Sequence, residues 1–311
     1  MSDLIVPPPP GLADCVQHAL LKTLPGGPYL LPAGLQPLFL LILRGRITLH
    51  HAGRDTVLAP FLLCGGTRGI RRASAEPGTR ILTLSLQPGR LRQLLPLPPL
   101  AVMEEAVPLS DLLAGEARGE ALRLAELAAG AAASSTCEVA AGEVAVGQAR
   151  AGEAALLAAL FACLQGWRMR QAAAPDLVLP LPAWDAPASE LAAGLGLGLR
   201  QFERRFLQSY GQPLKSYRRQ ARCSLLLARF MARSAAADAA NATDSPAWSG
   251  LADLAALGGY YDQAHLHRDL LSFTGYSPSA LLAGVASDDP AFWPYRLARE
   301  QLQRLFGPGG Y

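Results

Sequence analysis

Residues 251–278 read LADLAALGGYYDQAHLHRDLLSFTGYSP. A short apolar run meets the Gly258-Gly259 turn, and a helix-length run follows that stops at Gly275, with Pro278 just beyond. On a helix advancing about 100° per residue, Leu266, Leu270 and Phe273 share one side. Ala264 and Arg268 face the other way, flanked by His265 and His267, with Gln263 at the helix start. Upstream, residues 190–214 repeat the layout as ELAAGLGLGLRQFERRFLQSYGQPL. Here Leu199, Phe202 and Phe206 form the apolar side, expected to pack on Leu191 and Leu195, and Arg200, Gln201, Arg204 and Gln208 form the polar side. Two short helices joined by a glycine turn, twice over, predict a repeated helix-turn-helix.

Between the repeats, residues 213–231 read as one helix with Pro213 in its first turn and an apolar stripe of Tyr217, Ala221, Leu225 and Leu226. About 18 residues would span roughly 27 Å at 1.5 Å per residue, enough to hold two reading helices near one DNA turn apart. The charge is concentrated here. Residues 198–234 hold nine basic residues (Arg200, Arg204, Arg205, Lys215, Arg218, Arg219, Arg222, Arg229, Arg233) against one acid, Glu203. The chain as a whole carries only +3, which hides this excess. Arginine clustered on helices is the footprint of phosphate binding, with a solvated helix face as the alternative. A helix that buries Phe and displays Arg and Gln suits the major groove, where Arg pairs with guanine and Gln with adenine.

These two signatures, LAAGLGLGLRQFERRF followed by Gly-x-Pro-x-x-Tyr, and GGYYDQAHLHRDLLSFTGYSP, resemble the DNA-binding domain of the AraC/XylS family of bacterial transcription regulators. The resemblance covers the last hundred or so residues. It implies a sequence-specific, double-stranded-DNA-binding regulator whose two units read adjacent major-groove segments. By position it implies base-edge residues Arg200, Glu203 and Arg204 in the first unit and Gln263, Ala264, His267 and Arg268 in the second. With the wheel reading, the DNA-facing set is Arg200, Gln201, Glu203, Arg204, Gln208, Gln263, Ala264, His265, His267 and Arg268. Two departures stand out. Gly198 holds a cap position where the family often has Ser or Thr, and glycine is tolerated there. The low-complexity tract 232–249 is longer than the usual connection and reads as a flexible surface excursion.

The rest of the chain divides in two. Residues up to about 95 carry short apolar or alternating runs (36–43, 46–50, 54–59, 68–73 and 80–86) between glycine turns, which predicts a small barrel or sandwich. Arg44-Gly45 reads as a tight hairpin. Residues 104–172 are alanine-rich and helical, clearest at 114–130 and 153–171, where Leu156, Leu157, Leu160, Phe161, Leu164 and Trp167 recur at helical spacing. The expected organisation is therefore α+β. A sensing or dimerising half spans 1–172, a proline-rich linker 173–187, the DNA-binding domain 188–285 and a tail 286–311. The family commonly pairs its DNA-binding domain with a cupin-like sensor, which implies a small-molecule effector, and activation implies RNA polymerase as a partner. Two questions stay open: whether the β region encloses a ligand or has a filled core, and whether helix 153–171 is a homodimer seam or packs on its own β region.

Length and composition narrow the classes. Half of the 311 residues are hydrophobic and 17% charged, which excludes a disordered chain. The only lysines are Lys22 and Lys215, an arginine bias of the kind a GC-rich genome produces. The five cysteines are scattered singly, against a disulfide framework or structural zinc and for a reducing cytoplasm. The opening MSDLIVPPPP lacks a secretory pattern, and no apolar run approaches the roughly 20 residues of a membrane span. His50-His51 alternate faces of a strand and do not share a metal. Arg44, Arg46, Arg68, Arg71 and Arg72 read as a solvated rim, with an anion site as the alternative. No cofactor or metal is expected. No enzyme is expected: the GxSxG, GxxxxGK and HExxH motifs of common enzyme classes are absent. The GLGLGL run lies between helices, without the strand a dinucleotide fingerprint needs. No Pro-Cys-His surrounds any cysteine.

Overall fold

The computed structural model describes residues 3–51, 53–136, 142–171, 177–179, 186–239 and 251–296. It is an α+β architecture with the strands in the first third. The strands are β1 (Leu4–Val6), β2 (Val16–Thr23), β3 (Gly27–Leu31), β4 (Leu38–Arg44), β5 (Ile47–His51), β6 (Arg54–Val57), β7 (Phe61–Cys64), β8 (Arg71–Ala75), β9 (Arg80–Leu86) and β10 (Ala106–Pro108). They form a six-stranded antiparallel sheet in the order β1-β2-β9-β4-β7-β10 and a four-stranded one in the order β3-β8-β5-β6. The two sheets face each other as a sandwich, and the barrel alternative does not arise.

β4 shows why its sequence reads as an unbroken apolar run. Phe39, Leu41 and Leu43 point to one side of the six-stranded sheet and join one buried cluster, whereas Leu40 and Ile42 point to the other and join a second. A strand covered on both faces has no polar side to alternate with. The second cluster lies between the sheets, where Tyr29, Ile47, Ala73 and Ala75 meet Leu40, Leu62 and Ile81. Side chains from both sheets meet there in one buried cluster.

The expected hairpin at Arg44-Gly45 is a correction. β4 pairs with β7 and β9, while β5 pairs with β6 and β8, so the chain changes sheet at Gly45. Gly45 has φ 78°, and a Cβ there would lie 2.4 Å from Thr79 Oγ1, so only glycine can turn this corner. The true hairpin is β5–β6, with His51 opposite Arg54.

The other side of the six-stranded sheet is covered by α2 (Gly115–Thr136) and α3 (Gly142–Arg170), after the short α1 (Leu109–Leu112). Leu156, Leu160, Leu164 and Trp167 of α3 are buried with Phe39, Leu41 and Leu82. The apolar stripe of this helix is thus spent on the chain's own sheet. Three polar contacts seat α3. Arg80 of β9 forms a buried fork on Glu153 (2.8 and 3.0 Å), the Trp167 indole donates to Glu120 (2.6 Å), and Arg168 forks onto Asp14 (2.6 and 2.7 Å). Among the described residues no helix is long and apolar enough to cross a membrane.

The last third is helical: α4 (Ala188–Gly194), α5 (Leu199–Tyr210), α6 (Leu214–Ala239), α7 (Leu251–Leu257), α8 (Gln263–Thr274) and α9 (Pro278–Ala286). α6 runs to Ala239, so the first part of the tract expected to be a flexible excursion is helix; residues 240–250 lie outside the described ones. Two further segments are more ordered than expected. Leu177 and Leu179, within the proposed linker, are buried, and their N–H groups donate to Ser209 Oγ and Tyr210 OH. A 3-10 turn at Pro290–Tyr295, within the proposed tail, buries Phe292 and Tyr295 and sets Trp293 edge-on against Tyr29 (5.2 Å). The remainder of the linker (172–176, 180–185) and tail (297–311) lies outside the described residues.

Candidate nucleic-acid interface

α4–α5 and α7–α8 form the two expected helix pairs, and each is built around the apolar side of its second helix. In the first, Phe202 and Phe206 are fully buried. Phe206 stacks on Tyr210 at 4.2 Å, and Tyr217 of α6 closes edge-on against both rings (5.7 and 4.9 Å). In the second, Leu266, Leu270 and Phe273 pack with Leu254 and Ala255 of α7 and with Cys223, Leu226 and Leu227 of α6. The first unit therefore docks on α6 near Leu214–Tyr217 and the second near Cys223–Leu227. That offset is about 14 Å along the axis at 1.5 Å per residue, half the roughly 27 Å read from the helix length.

Both reading helices end the same way. Gly211 and Gly275 follow α5 and α8 in the left-handed conformation (φ 74° and 79°), and each N–H returns to a carbonyl one turn back. Both glycines also press on the β region. A Cβ on Gly211 would lie 2.7 Å from Met103 Cγ, and one on Gly275 would lie 2.7 Å from Leu30 Cδ1. Hydrogen bonds join the same surfaces: Gln220 Nε2 to the Thr67 carbonyl, Ala33 N–H to the Phe273 carbonyl (both 2.8 Å), and Arg68 Nη2 to the Gly211 carbonyl (3.4 Å). The C-terminal ends of the reading helices abut the β region.

Their outward sides are open. Arg200, Gln201, Glu203, Arg204 and Gln208 are exposed on α5, and Gln263, Ala264, His267 and Arg268 are exposed on α8; His265 is half-buried. Arg268 at present returns its Nε to the Ala264 carbonyl of its own helix (3.2 Å). The helix starts differ. Asp262 accepts the His265 N–H (2.7 Å) and caps α8, while Gly198 supplies no side-chain acceptor to α5.

The expected packing of Leu195 and Leu199 is corrected. Both are exposed, at 44% and 45%, although Leu191 is buried as expected. α4 ends one residue before Leu195, and Leu199 is the first residue of α5, beyond the reach of the core.

The basic cluster also divides by role. Arg218 donates to the Ala186 carbonyl, and Arg229 donates to the carbonyl of Leu257, the last residue of α7 (2.8 Å). Arg219 Nε donates to Asp269 (2.6 Å), with its guanidinium 5.1 Å from the Phe273 ring centre. Arg219 and Arg229 thus tie α6 to α8 and α7, and Arg218 ties it to the segment just before α4. Arg200, Arg204 and Lys215 are exposed. Asp269 was not singled out from the sequence. It is 1% exposed on the buried side of α8, and its second oxygen lies 3.7 Å from His265 Nε2. An acid among Leu266, Leu270 and Phe273 was the available signal, because a buried carboxylate needs a cationic partner.

In the β region, His50 is held by Asp55 and Ser74 (2.8 Å each), Arg71 pairs with Glu104, and Arg46 with Glu76. The arginines weighed as an anion site are therefore in part engaged within the chain. Among the described residues no three of His, Cys, Asp and Glu converge as a metal site. Burial pushes the Cys15 thiol up to about 11 and those of Cys64, Cys163 and Cys223 to about 12, so all four stay protonated and weakly nucleophilic near neutral pH. Cys137 lies outside the described residues.

No protein-family model and no curated protein matches the chain. Among solved structures, the chain is similar to apo ToxT from Vibrio cholerae, with a TM-score of 0.42 and 10% identity over 91% of this chain and 97% of that one. A ToxT structure bound to (E)-4-(8-methylnaphthalen-1-yl)but-3-enoic acid gives 0.39 and 10% over 91% and 99%. The AraC-like transcriptional activator CuxR gives 0.24 and 14% over 72% and 86%. At these values the likenesses are too distant to carry any residue's role to this chain.

Proposed function

We propose that this protein is a sequence-specific DNA-binding transcription regulator that acts without enzymatic chemistry. The observation that carries the reading is the pair of helix-turn-helix units on one shared helix. Each reading helix buries Phe or Leu on one side and leaves Arg, Gln or His exposed on the other, at its first two turns. The first turns of such helices are the parts that enter a major groove. Arg204 and Arg268 occupy equivalent positions, four residues after Arg200 and Ala264, and are the guanine-reading candidates. The β-sandwich half is proposed as the sensing or dimerising domain. Its contacts with Gly211 and Gly275 give it leverage on both reading helices.

The test is a salt titration of the full chain on duplexes from the upstream region of its own gene, with random DNA as competitor. Specific retention is expected, with affinity falling steeply as salt rises, by about 0.9 log unit per log unit of salt for each phosphate contacted. Failure to bind any duplex at low salt would overturn the reading and leave the helical repeat as a protein-interaction module.

A further inference from the structure

We infer that Leu199 is a specificity-determining residue, and that it reads the 5-methyl group of a thymine in the major-groove segment beneath the first unit. The inference rests on the DNA-reading proposal above and names a contact within it.

Three observations meet at this residue. First, Leu199 is 45% exposed, although it opens an otherwise well-packed helix. A single exposed leucine is ordinary on a protein surface, so its position must make the case. Second, the two units align in sequence at a constant offset that matches their buried residues, Phe202 with Leu266 and Phe206 with Leu270. The same offset places Arg200 with Ala264, Glu203 with His267, Arg204 with Arg268, and Leu199 with Gln263. Leu199 and Gln263 are each the first residue of a reading helix. Third, Leu199 stands in the turn that enters a groove deepest, where the apolar side of α5 is left uncovered, about 20° round the helix from Phe206 and 40° from the exposed Glu203 at 100° per residue.

The chemistry of the groove selects the occupant. Of the base-pair edges in the major groove, only thymine offers an apolar group, its C5-methyl; the others offer donors and acceptors. A leucine side chain has neither donor nor acceptor and makes a favourable contact only with that methyl. Where the second unit places an amide able to pair with adenine, the first places a side chain able to select thymine.

The experiment begins with selection of a preferred site from randomised duplexes by the full-length protein. Each thymine of that site is then replaced by deoxyuridine, which removes only the methyl. For the unaltered protein, one thymine on the first unit's side is expected to weaken binding about four-fold when it becomes deoxyuridine, the effect of burying one methyl group. In Leu199→Ala that difference should vanish at that base pair alone, with the thymines beneath the second unit unchanged. In Leu199→Gln the preferred base there should shift to adenine. Circular dichroism checks that both variants are folded. If Leu199→Ala keeps the thymine-to-deoxyuridine ratio at every position, or Leu199→Gln selects the same site, the inference is overturned while DNA reading stands. If the unaltered protein selects no sequence at all, the DNA-reading proposal falls, and this one with it.

Discussion

The two helix-turn-helix units share a plan and differ in how each is held. The first is an aromatic construction: Phe206, Tyr210 and Tyr217 stack and cross within about one helix diameter, and the start of α5 has no side-chain cap. The second is aliphatic and electrostatic: Leu266 and Leu270 fill its core, Asp262 caps α8, and Arg219 reaches from α6 to the buried Asp269. One fold thus tolerates different stabilising terms as long as the apolar side of the second helix stays covered. The difference also has a functional side. Half of the exposed residues of α5 are charged (Arg200, Glu203 and Arg204), while those of α8 include Gln263, Ala264 and His267, so under the proposed function the two units would read different sequences.

The largest expected effect breaks the first unit alone. Phe206→Ala removes a fully buried ring that packs against three others and should cost about 3–5 kcal/mol. Urea denaturation followed by circular dichroism would show the loss, and a cost below about 1 kcal/mol would mean that the stack does not support the unit. Next comes the reading itself. Arg204→Ala and Arg268→Ala should each weaken specific binding by about 1–3 kcal/mol and relax specificity in different halves of the site. Unchanged affinity in both variants would refute the assigned faces. Smaller is the cap. Asp262→Ala should destabilise the second unit by about 1 kcal/mol, readable as a lowered thermal midpoint. The smallest is the converse change. Gly198→Ser would give the first unit the acceptor it lacks, with an expected gain of a few tenths of a kcal/mol, because glycine is itself an acceptable cap. If Gly198→Ser gained as much as Asp262→Ala lost, the two starts would differ by more than the cap.

Much of this was legible because it is local. The helical spacing of Phe202 and Phe206, and of Leu266, Leu270 and Phe273, predicts both buried sides, and all five are buried. The run 80–86 is β9 residue for residue. β1 went unread because it is three residues long, and β2 because its buried positions do not alternate. β10 went unread because it is three residues long and contains a proline. The strand at 61–64 went unread because a four-residue apolar run has no periodicity to display. Leu199 was misplaced because a helical wheel has no ends: it assigns a side but not whether anything covers that side at the first turn.

The amino-acid order alone therefore settles the repeated helix pair, the sides of its reading helices and the concentration of arginine, since periodicity and charge belong to neighbours in the chain. The fold decides what depends on distant partners. It divides β4 and β5 between two sheets at Gly45 and commits the α3 stripe to the chain's own sheet. It also sorts the arginines into those that hold carbonyls and Asp269 and those left exposed. Burial and ion pairing arise from residues tens of positions apart, and no local pattern contains that information.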